Sequence, residues 1–166
     1  LDAAKKACDA QAGAGTLLTL SGEAWAARAG GTSGALWGVI LSTLGDKLGD
    51  TSVPDTAVVA TSVAAALREV MQRGKAQPGD KTLVDGLQPF SVALDQAAVR
   101  GIPVVTAWQA AADSANAAAQ QTRDLLPRMG RARPHAEKSI GTPDPGAISL
   151  AMIITAAGKV MSKHCA

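Results

Sequence analysis

Apolar residues recur every three or four positions over most of the chain, the spacing of one face of an α-helix. The clearest stretch steps by four, three, four and three residues: Leu83, Leu87, Phe90, Leu94 and Ala97. The stretch from Asp55 repeats in the same way: Val59, Val63, Ala66, Leu67, Val70 and Met71. Because no stretch alternates apolar and polar residues as a half-buried strand does, the pattern predicts an all-α protein.

Glycine and proline mark the predicted ends of these helices. Helices are predicted over residues 15–29, 32–47, 55–73, 83–97, 104–121 and 145–162, after residues 2–12, which are typical of the tail of a helix. For residues 15–29, spacing predicts an inward face made of Leu17, Leu20, Ala24 and Ala27. For residues 145–162, it predicts an inward face made of Ile148, Met152, Thr155 and Ala156. Short connections between about six helices predict an antiparallel helical bundle.

Composition narrows the possible classes of protein. The 166 residues are 47% hydrophobic and 18% charged, which suits one compact domain. A net charge of +2, without a basic run, argues against nucleic-acid binding. Cys8 and Cys165 form no metal-binding or disulfide pattern, and neither a signal peptide nor a long apolar run is evident. These observations predict a cytoplasmic protein with no membrane anchor.

The stretch between the third and fourth predicted helices nearly spells a phosphate-binding P-loop. Gly74 and Gly79 have the required separation, but Asp80 is inserted before Lys81 and Thr82. A P-loop also follows a β-strand, whereas residues 55–73 predict a helix. The bland alternative is a turn in which Gly74 closes one helix, Thr82 caps the next, and Asp80 and Lys81 pair locally.

Three blocks of sequence carry a more specific resemblance. They are Gly30-Gly31-Thr32-Ser33-Gly34-Ala35-Leu36-Trp37-Gly38, then Arg73-Gly74-Lys75-Ala76-Gln77-Pro78-Gly79-Asp80-Lys81-Thr82, and last Gly130-Arg131-Ala132 with Glu137-Lys138-Ser139-Ile140-Gly141 and Asp144-Pro145-Gly146-Ala147. In this order they resemble the signature blocks of the nucleotide-binding (L) domain or subunit of dihydroxyacetone kinases. The resemblance covers about residues 15–160, and it implies a barrel of eight amphipathic helices with nucleotide at one rim.

The resemblance also implies roles for individual residues. Gly31, Thr32 and Ser33 would meet the phosphates, where a helix N-terminus offers bare N–H groups. Gly74 and Leu83 would flank the adenine or ribose, and Asp144, Pro145 and Gly146 would form the opposite wall. Arg131 would contact the nucleotide, since a guanidinium suits phosphate oxygens. No catalytic residue is predicted in the chain; Arg133, His135 and Lys138 are more simply solvated loop residues.

The family's L domain binds ATP or ADP with Mg²⁺, which is held by aspartates in a Gly-Asp-x-Asp-x-Gly type of loop. Only residues 9–15 offer a comparable stretch, and they contain a single carboxylate, Asp9. One aspartate cannot supply a two-metal site, so no metal ligand is predicted within the chain. The metal ligands are expected upstream of Leu1, in a domain truncated at its N-terminus, or else the site has been lost.

Two functions remain open. The first is the nucleotide-binding part of a ketose kinase, whose ketose, such as dihydroxyacetone, is held on a separate K domain or subunit. Its phosphoryl donor would be ATP, or ADP rephosphorylated by a phosphotransferase-system phosphocarrier, and the isolated chain would phosphorylate nothing. The second is a non-catalytic helical binding or interaction module of the same fold.

Overall fold

The computed structural model describes residues 1–129, 133 and 136–164, and every regular element among them is helical. Its α-helices are α1 (Asp2–Asp9), α2 (Ala14–Ala29), α3 (Gly31–Leu48), α4 (Thr56–Gly74), α5 (Val84–Val99), α6 (Val104–Gln121) and α7 (Pro145–His164). Two 3-10 turns, Thr122–Asp124 and Glu137–Ser139, lie in the sequence between α6 and α7. The predicted all-α class is confirmed. The helix count exceeds the predicted six because residues 2–9 form a helix of their own.

The chain divides into two compact units, Leu1–Lys75 and Ala76–Ala166. The first unit contains α1 to α4, and the second contains α5 to α7. The first signature block, residues 30–38, falls in the first unit, and the described end of the third, residues 136–147, falls in the second. The second block is divided, with residues 73–75 in the first unit and residues 76–82 in the second.

In the first unit, α2 and α3 pack antiparallel along a line of small residues. Gly15 faces Gly45 near one end of the pair, and Ala29 faces Gly34 at the other. Between them, a Cβ on Gly38 would lie 2.9 Å from the carbonyl oxygen of Gly22, closer than real Cβ atoms approach. The two backbones are therefore in direct contact. We call this contact the glycine seam; its members are Gly15, Thr19, Gly22, Ala26 and Ala29 of α2 and Gly34, Gly38, Ser42 and Gly45 of α3.

The glycine seam corrects the predicted inward face of α2. Leu20 is 42% exposed and Ala27 is exposed, while Gly15 and Gly22 are the buried residues of this helix. The spacing of the larger apolar residues did not predict the inward face of α2, because α2 and α3 contact each other through residues without bulky side chains. Asp50 completes the pair by accepting hydrogen bonds at the start of α2 from the N–H of Thr16 (2.9 Å) and from its hydroxyl (2.6 Å).

In the second unit, the predicted face of α5 is confirmed. Its five apolar residues are all buried: Leu83, Leu87, Phe90, Leu94 and Ala97. Phe90 meets Trp108 of α6 edge to face, with ring centroids 4.9 Å apart. The indole N–H of Trp108 donates to the carbonyl oxygen of Ile154 at 2.8 Å, so this aromatic residue joins α6 to α7 while keeping its polar atom paired.

The predicted inward face of α7 is wrong by about one position. Met152 is 66% exposed, and Ala156 is exposed as well. The buried residues are instead Ala147, Leu150, Ala151 and Ile154. Helix α7 carries apolar side chains on every side, so the spacing of these residues does not determine which side faces the core.

Helix α7 is also long and apolar enough, by length and composition alone, to cross a membrane: Pro145–Lys163 has a mean hydropathy of 1.3. That property is weak evidence, because core helices of soluble proteins share it. In this structure α7 packs against α5 and α6, and Gly158 lets it approach Trp108 closely.

Candidate functional site

In the first unit, three of the predicted phosphate-contacting residues stand at the first turn of α3. Gly30 and Gly31 have φ of +57° and +63°, in the left-handed region that favours glycine, and they turn the chain from α2 into α3. Thr32 and Ser33 are exposed, and no side chain caps this helix among the described residues. The N–H groups of the first turn are therefore open to a ligand.

Gly74 lies beside the second turn of α3. A Cβ placed on Gly74 would lie 3.5 Å from Leu36, which shares a face of α3 with Thr32 and Ser33. The structure thus brings together four predicted residues of one unit, which we call the hinge site: Gly31, Thr32, Ser33 and Gly74. Gly74 is the last residue of α4, as predicted, and Lys75 after it takes the left-handed conformation (φ +53°).

The loop at residues 76–82, hereafter the signature loop, is organised by two aspartates. Asp80 accepts a hydrogen bond from the N–H of Gln77 at 2.7 Å. Asp85 accepts from the N–H of Gly79 (2.5 Å) and from the N–H of Thr82 (2.7 Å). The hydroxyl of Thr82 accepts from the N–H of Val84 at 3.2 Å, so Thr82 and Asp85 together cap the start of α5, as predicted for Thr82.

Two of the readings open for this loop are excluded. A P-loop requires a preceding strand, and α4 precedes this loop instead. The local ion pair between Asp80 and Lys81 is absent among the described residues, because Asp80 bonds to backbone and Lys81 points elsewhere. The ammonium group of Lys81 donates to the carbonyl oxygen (2.7 Å) and the hydroxyl (3.3 Å) of Ser139.

A second group of predicted residues lies together at the start of α7, in the second unit. A Cβ on Gly146 would lie 2.9 Å from Oδ2 of Asp144 and 3.5 Å from Cβ of Leu83. Asp144 caps α7 by accepting from the N–H of Ala147 at 2.7 Å. We call this group the wall site: Leu83, Asp144, Pro145 and Gly146. Leu83 is its apolar member and Asp144 its charged one.

Burial raises the pKa of the Asp144 carboxyl, and the nearby Asp85 raises it further. Hydrogen bonds from the backbone of Ala147 and Gly146 and the positive charge of Lys81 oppose this rise. The backbone of Asp144 is fixed as well, since its N–H donates to the hydroxyl of Thr122 at 2.7 Å. Thr122 is 1% exposed and donates in turn to the carbonyl oxygen of Ala119.

Three residues that hold this part of the site in place could not be assigned that role from the sequence: Lys81, Thr122 and Ser139. Their contacts join residues far apart in the chain, and a threonine or serine in a loop carries no signal of such a contact. Arg131, the predicted phosphate-contacting arginine, lies outside the described residues, as does His135. Arg133 and Lys138 are exposed.

The described residues do not form a magnesium site. No group of three or more His, Cys, Asp and Glu side chains within this part of the chain could hold a metal ion. Asp85 and Asp144 are close to each other, but they accept bonds from backbone N–H groups and lie near the ammonium group of Lys81. Asp9, in the stretch compared with the metal loop, is exposed at the end of α1.

Two cavities in the first unit lie apart from the hinge site. One, of about 600 Å³, is lined by α1, α2 and Leu41, with Trp25 among its walls. The other, of about 370 Å³, lies beside Asp46 and Asp50. Neither is lined by a predicted nucleotide-contacting residue. We therefore assign the candidate site by where the predicted nucleotide-contacting residues lie together, and not by cavity size.

Comparison with known proteins identifies the family. Residues 1–159 match the family model of the DAK2 domain, which is nearly the whole chain. The chain belongs to the DAK2 domain family. The resemblance inferred from the three signature blocks is thus confirmed.

Curated relatives of this DAK2 domain are named as kinases. It is 56% identical over 161 residues to an L-erythrulose kinase of Pectobacterium atrosepticum, a match covering 97% of the chain and 27% of the relative. It is 44% identical over 81 residues to the ADP-binding subunit DhaL of the PEP-dependent dihydroxyacetone kinase of Escherichia coli, covering 49% of the chain and 39% of the subunit. The DAK2 domain spans about a quarter of the length of the erythrulose kinase.

Solved structures confirm the fold class. The native dihydroxyacetone kinase of C. freundii superimposes with a TM-score of 0.63 at 31% identity, over 88% of this chain and 24% of that one. A structure of the same kinase in complex with AMP-PNP and Mg²⁺ gives a TM-score of 0.56 at 29% identity, over 89% and 23%. These matches extend through both units of the DAK2 domain.

Proposed function

We propose that this DAK2 domain is the nucleotide-binding part of a kinase that phosphorylates a short-chain ketose such as dihydroxyacetone. The observation that carries the proposal is the grouping of the predicted residues. In the first unit Gly74 lies beside Leu36, on the face of α3 that carries Thr32 and Ser33. In the second unit Leu83, Asp144 and Gly146 lie together at the start of α7.

The chemistry of the two groups suits different parts of a nucleotide. The hinge site offers uncapped N–H groups at the positive end of α3, which favour phosphate oxygens. The wall site offers the apolar side chain of Leu83 and a carboxylate that accepts hydrogen bonds, which suit the base and the ribose hydroxyls. The N–H of Ala147 is already bonded to Asp144, so α7 is a poorer anion site than α3.

Within this proposal, Arg131 contacts the nucleotide. Mg²⁺ would accompany the bound ATP or ADP and would supply positive charge to its phosphates. The chain's own residues bind and orient the nucleotide, while the ketose is held on a separate K domain or subunit. The names of the relatives support this division, since one is called an ADP-binding subunit and another structure contains AMP-PNP.

Gly31→Val tests the phosphate contact. Valine adds three carbon atoms where phosphate would approach the first turn of α3, so we expect ADP affinity to fall at least about 100-fold, the equivalent of losing two hydrogen bonds to a charged group. The measurement is titration calorimetry with ADP and Mg²⁺. Helicity, measured by circular dichroism, should change little.

Gly101→Val is the matched control for this experiment. Gly101 has φ of +66°, close to the +63° of Gly31, and a Cβ at either position meets no atom within 4 Å. The two variants therefore carry similar backbone strain, but Gly101 lies in the loop before α6, outside both sites. Equal ADP affinities in the two variants would refute the phosphate assignment. If the unchanged chain binds no nucleotide, the proposed function itself is wrong and a non-catalytic module is favoured.

A further inference from the structure

Lys81 is buried although it lies in a loop. Its exposed fraction is 5%, and its φ of +60° is unusual for a residue other than glycine. Lysine side chains are almost never this buried unless they are paired, because burying an ammonium group without a partner is costly. The position of Lys81 therefore needs a specific explanation, which the predicted nucleotide contacts do not supply.

The ammonium group of Lys81 joins two signature blocks. It donates to the carbonyl oxygen of Ser139 at 2.7 Å and to its hydroxyl at 3.3 Å. The hydroxyl of Ser139 donates to the carbonyl oxygen of Ala136 at 2.9 Å, which closes the turn Glu137–Ser139. Lys81 thus fastens the signature loop to a turn 58 residues further along the chain.

The same charge acts on the wall site. Two carboxylates face each other there, Asp144 at the start of α7 and Asp85 in the first turn of α5, and they repel each other. Lys81 offsets this repulsion and favours the ionised form of Asp144. The other groups that face Asp144 are the N–H groups of Gly146 and Ala147, and these are neutral.

We propose that Lys81 is a positioning residue of the nucleotide site: its ammonium group holds the turn Glu137–Ser139 on the signature loop, and its positive charge offsets the charge of Asp85 at the Asp144 carboxylate. Lys81 acts through Asp144 and Ser139 and does not touch the ligand itself. The role in nucleotide binding rests on the proposed function, whereas the effect on Asp144 does not.

Lys81→Met removes the charge and the donor but keeps an unbranched side chain of similar length. We expect ADP affinity, measured by calorimetry with Mg²⁺, to fall about 10-fold. Without the Lys81–Ser139 hydrogen bond the turn is no longer held in place beforehand, so ordering it on binding costs about the free energy of one hydrogen bond to a charged group. Lys75→Met is the matched control. Lys75 is also non-glycine with positive φ (+53°), but it is exposed, so ADP affinity should stay within about 2-fold of that of the unchanged chain.

A pH comparison separates positioning from simple packing. Without Lys81 the pKa of Asp144 rises further, because the ionised carboxylate loses a favourable positive charge. The ionised carboxylate then destabilises the folded chain more than before. Protonation of Asp144 at lower pH removes this destabilisation. We expect the loss of melting temperature in Lys81→Met to be larger near about pH 7.5 than near about pH 5. In the double variant Lys81→Met/Asp144→Asn, the loss should be the same at both pH values, because asparagine still caps α7 but does not titrate.

Either of two results overturns the proposal: unchanged ADP affinity in Lys81→Met, or a loss of melting temperature that is equal at both pH values. If Lys81→Met does not fold, Lys81→Arg provides the test, because it keeps the charge beside Asp144. That variant should show no pH-dependent loss, and a clear pH-dependent loss would refute the role of charge. Failure of the proposed function is distinguishable, since the unchanged chain would then bind no ADP while the pH comparison kept its expected result.

Discussion

Two glycines of the predicted nucleotide site are glycines for different physical reasons. Gly74 ends α4, and a Cβ there would make ordinary van der Waals contact with Leu36 at 3.5 Å. Gly146 is in the first turn of α7, where a Cβ would lie 2.9 Å from Oδ2 of Asp144. A side chain at Gly146 therefore displaces the carboxylate that caps the helix, whereas a side chain at Gly74 displaces nothing.

Gly146→Ala should consequently lower the free energy of unfolding by about 1 kcal/mol, the usual cost of a lost N-cap. Gly74→Ala should leave it unchanged or raise it by up to about 0.5 kcal/mol, since alanine suits a helix better than glycine. Urea unfolding monitored by circular dichroism measures both values. If the two variants were equally stable, the contact between Gly146 and the Asp144 carboxylate would not be a constraint.

At the scale of helices, α2 and α3 are joined by backbone contact along the glycine seam. A Cβ on Gly38 would meet Cβ of Ala26 at 2.7 Å and the carbonyl oxygen of Gly22 at 2.9 Å. Neither of these atoms can rotate away, because one belongs to the backbone and the other is a Cβ. An added methyl group must therefore push the two helices apart.

Gly38→Ala is expected to lower the free energy of unfolding by about 1 to 3 kcal/mol, the range found when extra carbon atoms are forced into a packed interior. The expected loss is larger than that of Gly146→Ala because backbone, and not a side chain, has to move. Gly74→Ala again serves as the control on a neighbouring helix. A Gly38→Ala variant as stable as the unchanged chain would mean that α2 and α3 are not in such close contact.

The helices also show which parts of the fold could be predicted from the sequence. The face of α5 could be predicted, because Leu87, Phe90 and Leu94 alternate with polar residues on the other side. The face of α7 could not, because Met152 and Ile153 are as apolar as the buried Leu150 and Ile154. Only packing against α5 and α6 decides between them. The glycine seam was missed because glycine adds nothing to a hydrophobic stripe.

For the candidate site, the sequence predicted the residues that carry the motifs but not the contacts that hold them in place. The hinge and wall residues were found from motifs, and the structure groups them within each unit. The hydrogen bonds that hold them in place could not be found from motifs. Examples are the bond between Lys81 and Ser139 and the bond between Thr122 and Asp144. The bonded residues are 58 and 22 positions apart, and nothing local in the sequence specifies such a pair. The prediction that both sites meet one nucleotide stays a prediction.

Over the whole molecule, two carboxylates make stability depend on pH in opposite directions. Hydrogen bonds from the hydroxyl and the N–H of Thr16 lower the pKa of Asp50 below its ordinary value of 3.8. Its stabilising effect is therefore present at neutral pH and is lost as the pH falls through this lowered pKa. Burial raises the pKa of Asp144, so the contribution of that group is lost as the pH rises.

Asp50→Asn should lower the melting temperature at neutral pH, because an amide nitrogen cannot accept the hydrogen bond from Thr16. The difference from the unchanged chain should shrink as the pH falls below the ordinary aspartate pKa of about 4 and then through the lowered pKa of Asp50. Asp46→Asn is the control, since Asp46 is exposed on α3 and its side chain makes no hydrogen bond among the described residues. A difference that is constant with pH would show that the Asp50 charge is not what stabilises the start of α2.

Because α2 and α3 touch through main-chain atoms, this pair has almost no freedom to evolve by gradual exchange of side chains. In most protein interiors a larger side chain on one helix can be compensated by a smaller side chain on the opposite helix. A glycine that faces a backbone carbonyl cannot be compensated in this way, because the opposing group is not a side chain. A library of all single substitutions should therefore show a line of intolerance along one side of each of these two helices, with permissive positions between. The turn that carries Thr32 and Ser33 would inherit that rigidity, and its geometry would persist while the surrounding surface diverged.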